Sequence, residues 1–180
     1  MKTAGESLAQ YAAHHRDRRN IATHFAGIPM IVLAVVIAGA SVSIPAGPME
    51  VTLAALASLA ACAYYFRLDF VFGVTMAVAL FAACAAASEI LARLGTAGGL
   101  AAAGALFAAG WALQFLGHRF EGMKPAFFDD VRQLLVGPLF VCAEAYFFLG
   151  AKPALRRYVE ERAGPVVARR AAAAPSVTRT

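Results

Sequence analysis

The stretch LGTAGGLAAAGALFAAGWALQFLG, residues 94–117, carries no charged side chain between Arg93 and His118. A surface helix of a soluble protein alternates apolar and polar residues, whereas about 20 consecutive apolar residues suit a helix that crosses a bilayer. The whole chain is 61% hydrophobic and 15% charged over 180 residues. Similar uncharged runs cover residues 25–49, 51–66 and 70–88. Four such runs predict an all-α fold, a multi-pass transmembrane helical bundle.

The predicted spans cover about residues 25–44, 51–66, 70–91 and 100–117. Proline- and glycine-bearing turns at 45–48 and 93–99 separate them, together with a short polar joint at 67–69. A short amphipathic helix is expected before them over residues 7–19. Ser7 and Gln10 have the spacing of a capping box there, and Asn20 can end this helix or cap the next one.

A fifth apolar run, residues 134–151, is short and contains Pro138 and Glu144. If the N-terminus lies on the cytoplasmic side of the membrane, four spans return the chain to that side at His118. A fifth crossing would place the basic tail outside, against the positive-inside tendency. We therefore expect a re-entrant or interfacial helix here, with a full fifth span as the alternative. The predicted organisation is one membrane-embedded catalytic domain, residues 1–151, and a basic cytoplasmic tail, residues 152–180, partly disordered over Ala171–Thr180.

The net charge of +5 is concentrated in the segments that flank the apolar runs. This distribution favours contact with anionic membrane lipid, and both termini are expected in the cytoplasm, with a bacterial inner membrane as the location. No stripe of alternating basic and aromatic residues predicts a nucleic-acid partner. The sequence also lacks a glycine-rich phosphate loop, a GxSxG elbow and a CxxC pair.

The predicted topology places all the histidines, His14, His15, His24 and His118, at the same membrane interface. Neutral imidazole binds iron, copper and zinc, so this convergence suits a metal site. Interfacial histidines that only tolerate water and headgroups are the alternative, and position alone does not decide between the two.

Two glutamates are further candidates for the site. Glu121 shares a helix stripe with Gln114 and His118, where it can ligate a metal, orient His118, or pair with Arg119 or Lys124. Glu144 lies inside an apolar run, and ionisable residues in that setting are usually functional. It can be neutral, held near the metal, or paired with Arg119 or Arg132. Asp129 and Asp130 are expected to cap the helix that follows them.

Two separated motifs together resemble the 2-hydroxy fatty acid dioxygenase family of fungi and bacteria, over roughly residues 8 to 150. The first motif is Tyr11-x-x-His14-His15, Asn20, His24 and Pro29. The second is Trp111-x-x-Gln114-Phe115-x-Gly117-His118, then Phe120-Glu121, Pro125-Ala126, Asp129-Asp130, Gln133, Pro138 and Glu144.

The resemblance implies an enzyme that uses iron(II), Fe(2+), and dioxygen to convert a 2-hydroxy fatty acid into a fatty acid one carbon shorter. The family's histidines correspond to His14, His15, His24 and His118. On the residue chemistry we expect His14, His24 and His118 as the principal ligands, with His15, Glu121 and Glu144 competing behind them. The candidate catalytic residues are Asn20, Gln114, Glu121 and Glu144, and the candidates for neutralising the substrate carboxylate are Arg18, Arg19, Arg119 and Lys124. The alternatives are another histidine-ligated membrane lipid enzyme, with two irons or zinc, and a non-enzymatic membrane scaffold or transporter.

Overall fold

The computed structural model describes residues 2–46, 49–126, 130 and 132–169. These residues are mostly helical, which agrees with the predicted fold class, and a short two-stranded hairpin joins the second and third helices. In chain order the elements are α1 (Ala4–Ala12), α2 (Arg18–Ala40), β1 (Ser43–Ala46), β2 (Met49–Thr52), α3 (Leu53–Leu68), α4 (Phe70–Glu121), α5 (Gln133–Phe148) and α6 (Pro153–Ala163).

Within the described chain, α2 and α4 are the helices long and apolar enough to cross a membrane. Helix α3 is apolar but shorter, at 16 residues. Helices α5 and α6 form a pair bent by 117°, which has the form of a broken span or of a re-entrant segment. Two candidate spans, or three with the bent pair, are therefore evident by length and composition.

Helix α4 reverses direction at Gly95, inside the predicted turn. Gly95 has φ 67° and ψ 172°, a backbone conformation that side-chain-bearing residues rarely adopt. A Cβ added to Gly99 would lie 2.5 Å from the Leu91 side chain. On a straight helix, eight residues span about 12 Å. The contact therefore shows that residues 70–94 and 96–121 form two halves folded against each other.

Two apolar clusters mark the two ends of the bundle. The proximal cluster contains Ile21, Phe72 and Phe140, from α2, the start of α4, and α5. The distal cluster contains Ile37 and Ala87, from the end of α2 and the middle of α4. The beginnings of α2 and α4 consequently lie at one end, which we call the proximal end, and the β1–β2 hairpin lies at the other, the distal end.

Glycines let α2 and the second half of α4 touch at their backbones. A Cβ on Gly27 would lie 2.8 Å from the Gly110 carbonyl oxygen, and a Cβ on Gly110 would lie 2.9 Å from that of Gly27. A Cβ on Gly117 would lie 2.2 Å from Thr23 Oγ1 and 2.4 Å from Asn20 Oδ1. Small residues are the usual means of such close approach between membrane helices. This spacing sets the distance between the histidine-bearing segments of the two helices.

The expected helix over residues 7–19 is wrong in its bounds. Helix α1 covers Ala4–Ala12 and is buried on several faces, and its capping box is formed by Thr3 and Glu6 rather than by Ser7 and Gln10. The chain then turns, and Asp17 is the N-cap of α2, so Asn20 lies inside that helix and is not a cap. The helix ends early because the chain turns at residues 13–17, where the backbone N–H groups of Arg16 and Asp17 donate to the Glu121 carboxylate instead of continuing the helix.

The basic tail contains a helix that the sequence analysis did not predict. Helix α6 contacts α1, where Tyr158 approaches Gly5, and Val159 joins the proximal cluster. Beyond it, the Val167 N–H donates to the Arg16 carbonyl and the Arg18 N–H donates to the Val167 carbonyl, each at 2.9 Å. The expected disorder of Ala171–Thr180 and the capping role of Asp129 both concern segments outside the described residues. Asp130 does not cap α5, because its side chain accepts from the Arg132 N–H and guanidinium.

Candidate metal centre

Three histidines from separate segments meet at the proximal end. His15 comes from the turn before α2, His24 from α2, and His118 from the end of α4. Each offers one ring nitrogen, and these three atoms lie within 4.8 Å of one another. All three side chains are buried, with exposures of 0%, 1% and 6%. A group of this kind could hold a metal ion.

Hydrogen bonds to the backbone set the tautomers of two of these rings. His15 Nδ1 lies 2.7 Å from the Tyr11 carbonyl, and His24 Nδ1 lies 2.9 Å from the Asn20 carbonyl. A carbonyl only accepts, so each Nδ1 carries the proton and each Nε2 presents a lone pair when the ring is neutral. This arrangement is typical of metal-binding histidines, whose second nitrogen is held by a carbonyl or carboxylate.

The remaining nitrogens form a set that suits a cation. His15 Nε2 and His24 Nε2 are 3.0 Å apart, and His118 Nδ1 is buried with no hydrogen-bond partner in the described part of the chain. Burial, and secondly the nearby His24, lowers the pKa of His15 well below its usual value, so the neutral ring is favoured. Neutral rings would direct two lone pairs at each other, which is unfavourable unless a cation shares them. The donor set therefore fits a metal such as iron, copper or zinc.

His14 lies beside this group but is not one of its members. Its Nδ1 is 3.2 Å from the Lys124 carbonyl oxygen. The three-histidine group contains His15, whereas the sequence favoured His14 over His15 as a ligand, and the role of His14 as a ligand stays a prediction. His15 joins the group and His14 does not because the turn at residues 13–17 gives these consecutive histidines different directions. The signal in the sequence was the spacing of Tyr11 and His15, whose rings stack with centroids 4.1 Å apart.

Glu121 holds the turn that carries His15. Its carboxylate accepts from the backbone N–H groups of Arg16 at 3.0 Å and of Asp17 at 2.8 Å, and from Asn20 Nδ2 at 3.0 Å. Asn20 also donates to the His14 carbonyl at 3.1 Å. Glu121 lies outside the three-histidine group, and these bonds make it a support for the ligands.

Glu144 pairs with a residue that the sequence analysis did not select. Arg16 Nη2 lies 3.1 Å from Glu144 Oε1, and both side chains are largely buried. The expected partners, Arg119 and Arg132, are wrong: Arg119 is exposed, and Arg132 pairs with Asp130. Arg16 also donates to the Gly164 carbonyl at 3.2 Å, so it connects the turn, α5 and the C-terminal segment. In the sequence, the one indication that Arg16 belongs to the site is its position between His15 and Asp17.

A pocket with about 500 Å³ of empty space, partly open to the surroundings, adjoins the histidine group. His24 and His118 line it, together with the amide side chains of Gln114 and Gln133. The rest of its wall is mostly apolar or aromatic: Tyr11, Ile28, Ile31, Val32, Trp111, Pro125, Ala126, Leu134, Gly137 and Pro138. Gln133 belongs to the second motif, where the sequence indicated no role for it, and the structure places it in the pocket wall. The lining thus combines an apolar wall with two histidines and two amide side chains.

The predicted basic residues are not found in the wall of this pocket. Arg19 pairs with Asp17 at 2.7 Å and lies over the Phe120 ring. Arg18 lines a separate groove, with Arg16 and Glu144. Arg119 is exposed, and Lys124 reaches the site through its carbonyl contact with His14.

The fold and the site define a class of protein: a small helical chain with membrane-spanning candidates and a buried histidine group at one end of the bundle. The model of one family, described as 2-hydroxy-palmitic acid dioxygenase Mpo1-like, matches residues 1–149. The chain belongs to this Mpo1-like family, as its two motifs had suggested.

A curated relative with a partial match is the 2-hydroxy-palmitic acid dioxygenase MPO1 of Saccharomyces cerevisiae (strain ATCC 204508 / S288c). The two proteins are 42% identical over 57 residues, which are 31% of this chain and 33% of the yeast protein. The matched stretch thus spans about a third of the relative's length. No solved structure matches this chain significantly.

Proposed function

We propose that this protein is an iron(II)-dependent dioxygenase that converts 2-hydroxy fatty acids into fatty acids one carbon shorter. The observation that carries the proposal is the buried group of His15, His24 and His118 beside an apolar pocket. Membership of the Mpo1-like family, and the printed activity of the yeast relative, support the choice of substrate and reaction.

The proposed reaction balances without a further reductant. A 2-hydroxy acid, R–CH(OH)–COOH, and O₂ give R–COOH, CO₂ and H₂O. The bond between carbons 1 and 2 breaks, carbon 2 is oxidised to a carboxyl group and carbon 1 to CO₂. The four electrons that these carbons lose reduce both oxygen atoms of dioxygen. The protein therefore needs sites for the acid and for dioxygen, and none for an organic reductant.

His15, His24 and His118 would hold the iron, which supplies the redox chemistry that lets dioxygen react with the acid. His14 is the candidate for a fourth ligand, because it adjoins the group and is the remaining histidine of the motif. Tyr11 and Asn20 fix the orientation of two rings through their backbone carbonyls. Glu121 and the Arg16–Glu144 pair keep the His15 turn in place.

The polar end of the substrate would lie near His24 and His118, and its acyl chain along the apolar wall of the pocket. Of the four basic candidates, Lys124 is the one we propose for neutralising the carboxylate, because its backbone already contacts His14. Arg18, Arg19 and Arg119 are assigned instead to the surface of the proximal end, where they would face anionic lipid.

We propose four membrane crossings, formed by α2, α3 and the two halves of α4, with α5 and α6 as a re-entrant pair. The antiparallel order of these segments and the break at Gly95 support this count. Both termini and the metal centre would then lie on the cytoplasmic side, in the inner membrane of a bacterium. Residues 1–151 would form the catalytic domain, with the basic tail against its cytoplasmic face.

The test is anaerobic purification with iron, followed by addition of oxygen and a 2-hydroxy fatty acid. We expect one iron per chain, oxygen consumption that depends on the acid, and a product shorter by one carbon in mass analysis. Two irons per chain, or zinc as the active metal, would favour the other lipid enzymes. Absence of the shortened product from the iron-loaded protein would contradict the proposed function.

A further inference from the structure

Two buried glutamines line the pocket beside the histidines, one from each side. Gln114 comes from α4 and is 5% exposed, and Gln133 comes from the first turn of α5 and is 3% exposed. Among the residues that the structure describes, Gln114 Nε2, a donor, and Gln133 Oε1, an acceptor, are buried and have no hydrogen-bond partner. Leaving such groups unsatisfied costs about 1–3 kcal/mol each, so buried polar groups in a pocket wall are expected to find their partners in what binds there.

The local packing keeps a place for one of these amides. A Cβ on Gly27 would lie 2.3 Å from Gln114 Nε2, so α2 has no side chain at the point where that amide group lies. The neighbouring wall residues Ile28, Ile31 and Leu134 offer no polar side-chain atom. Within the described chain both glutamines belong to the same mainly apolar pocket wall as His24 and His118.

The free atoms differ in kind, and together they match the polar end of a 2-hydroxy acid. A carboxylate accepts hydrogen bonds only, which suits the Gln114 N–H. An alcohol on carbon 2 can donate one, which suits the Gln133 carbonyl oxygen. A fatty acid without the hydroxyl would leave Gln133 Oε1 buried and unpaired. Sites built around a substrate hydroxyl reject analogues that lack it for this reason.

We propose that Gln133 and Gln114 select 2-hydroxy acids over plain fatty acids, Gln133 by accepting from the 2-hydroxyl and Gln114 by donating to the carboxylate. This inference rests on the proposed function for its substrate class. It adds a source of substrate selectivity that comes from the Gln114 and Gln133 side chains and does not require a bound metal.

The test measures ligand binding to the metal-free protein in lipid nanodiscs, because a bound metal would itself prefer the 2-hydroxy acid by chelation. The probes are 2-hydroxyhexadecanoic, hexadecanoic and 2-fluorohexadecanoic acids, the last similar in size to the first but without a donor. Wild type should bind the hydroxy acid about tenfold or more tightly than either analogue.

The variants separate the two roles. Gln133→Leu should abolish the preference among the three acids and leave the affinity for hexadecanoic acid within about twofold of wild type. Gln114→Leu should weaken all three acids alike. Gln10→Leu, at a glutamine of α1 outside the pocket, is the matched control and should keep the wild-type preference. Circular dichroism and zinc stoichiometry would show that each variant is folded.

A Gln133→Leu protein that is folded and still prefers the hydroxy acid overturns the inference, and so does metal-free wild type that binds all three acids equally or none of them. Failure of the proposed function looks different. In that case iron-loaded wild type releases no shortened acid, whatever preference the binding measurements show. Turnover in wild type together with an unchanged preference in Gln133→Leu would overturn the inference alone.

Discussion

The two ends of the bundle are built from different kinds of residue. The distal cluster consists of small and aliphatic side chains such as Ala54, Ala87 and Ile37. The buried polar and charged residues of the described chain belong to the proximal half: Ser7, His15, Arg16, Asp17, Asn20, His24, Gln114, His118, Glu121 and Gln133. Buried polar groups are costly unless they are satisfied or used. The contrast teaches that both ends hold the helices together with apolar clusters, while the proximal end in addition carries the costly buried polar groups of a site.

The largest expected effect is the loss of a histidine of the group. Alanine at His24 or His118 removes a proposed ligand, so the affinity for iron or zinc should fall by more than the roughly 10–100-fold typical of changes around the ligands. Metal content and metal titration of the purified protein measure it. Ser58→Ala, on α3 and in contact with Cys84, is the control and should bind metal normally. Full iron retention in both histidine variants would contradict a shared site.

A smaller loss is expected from Glu121→Gln. The variant keeps the size of the side chain but removes the charge that accepts from two backbone N–H groups and Asn20, so metal affinity should fall by about 10–100-fold. Glu89→Gln, at an exposed glutamate in the same helix, should bind metal like wild type. Equal metal affinities for the two variants would show that the His15 turn needs no such anchor.

Gly117→Ala tests the helix spacing. The new methyl group would meet Thr23 and Asn20, so we expect a destabilisation of about 1–3 kcal/mol and a lower metal content. In Gly104→Ala, in the same half of α4, the methyl group would meet nothing within 4 Å, and stability should change by about 1 kcal/mol at most. Thermal unfolding in detergent compares the two variants. Similar melting temperatures would contradict the close contact of α2 and α4.

The smallest effect is expected beside the distal turn. Arg93→Ala removes an exposed pair with Glu89, and such pairs contribute about 0.5 kcal/mol or less. Its unfolding temperature and metal content should match those of wild type within error. A clear loss of metal in Arg93→Ala would show that the distal end affects the metal centre and that the two ends are not independent.

Most of each predicted apolar run lies in a helix because the apolar signal is local, but α2 begins at Arg18 rather than near residue 25, and two or three candidate spans are evident rather than four. The run at residues 51–66 corresponds closely to α3 (Leu53–Leu68), and the glycine-bearing turn falls at Gly95. The turn at residues 13–17 could not be predicted, because the carboxylate that stabilises it lies 105 residues further along the chain. The directions of the His14 and His15 side chains depend on that turn, so the sequence alone could not show which of them joins the three-histidine group.

The C-terminal helix was missed for a related reason. Helix α6 is polar in composition, and its stability comes from contacts with α1 that a local pattern does not contain. The sequence could predict those residues of the candidate site that belong to the two motifs, such as His24, His118 and Gln114. The hydrogen bonds that fix tautomers, and the placement of Gln114 and Gln133 in one pocket wall, exist only after folding.

The pairing of Val167 with Arg16 and Arg18 has a practical consequence. The family match ends at residue 149, whereas Gly164 and Val167 bind the turn that carries His15 from the other side. A chain shortened to the family boundary would keep every motif residue and lose these backbone contacts. The family match is therefore shorter than the segment that contacts the candidate metal centre, and a purification tag should follow the tail rather than replace it.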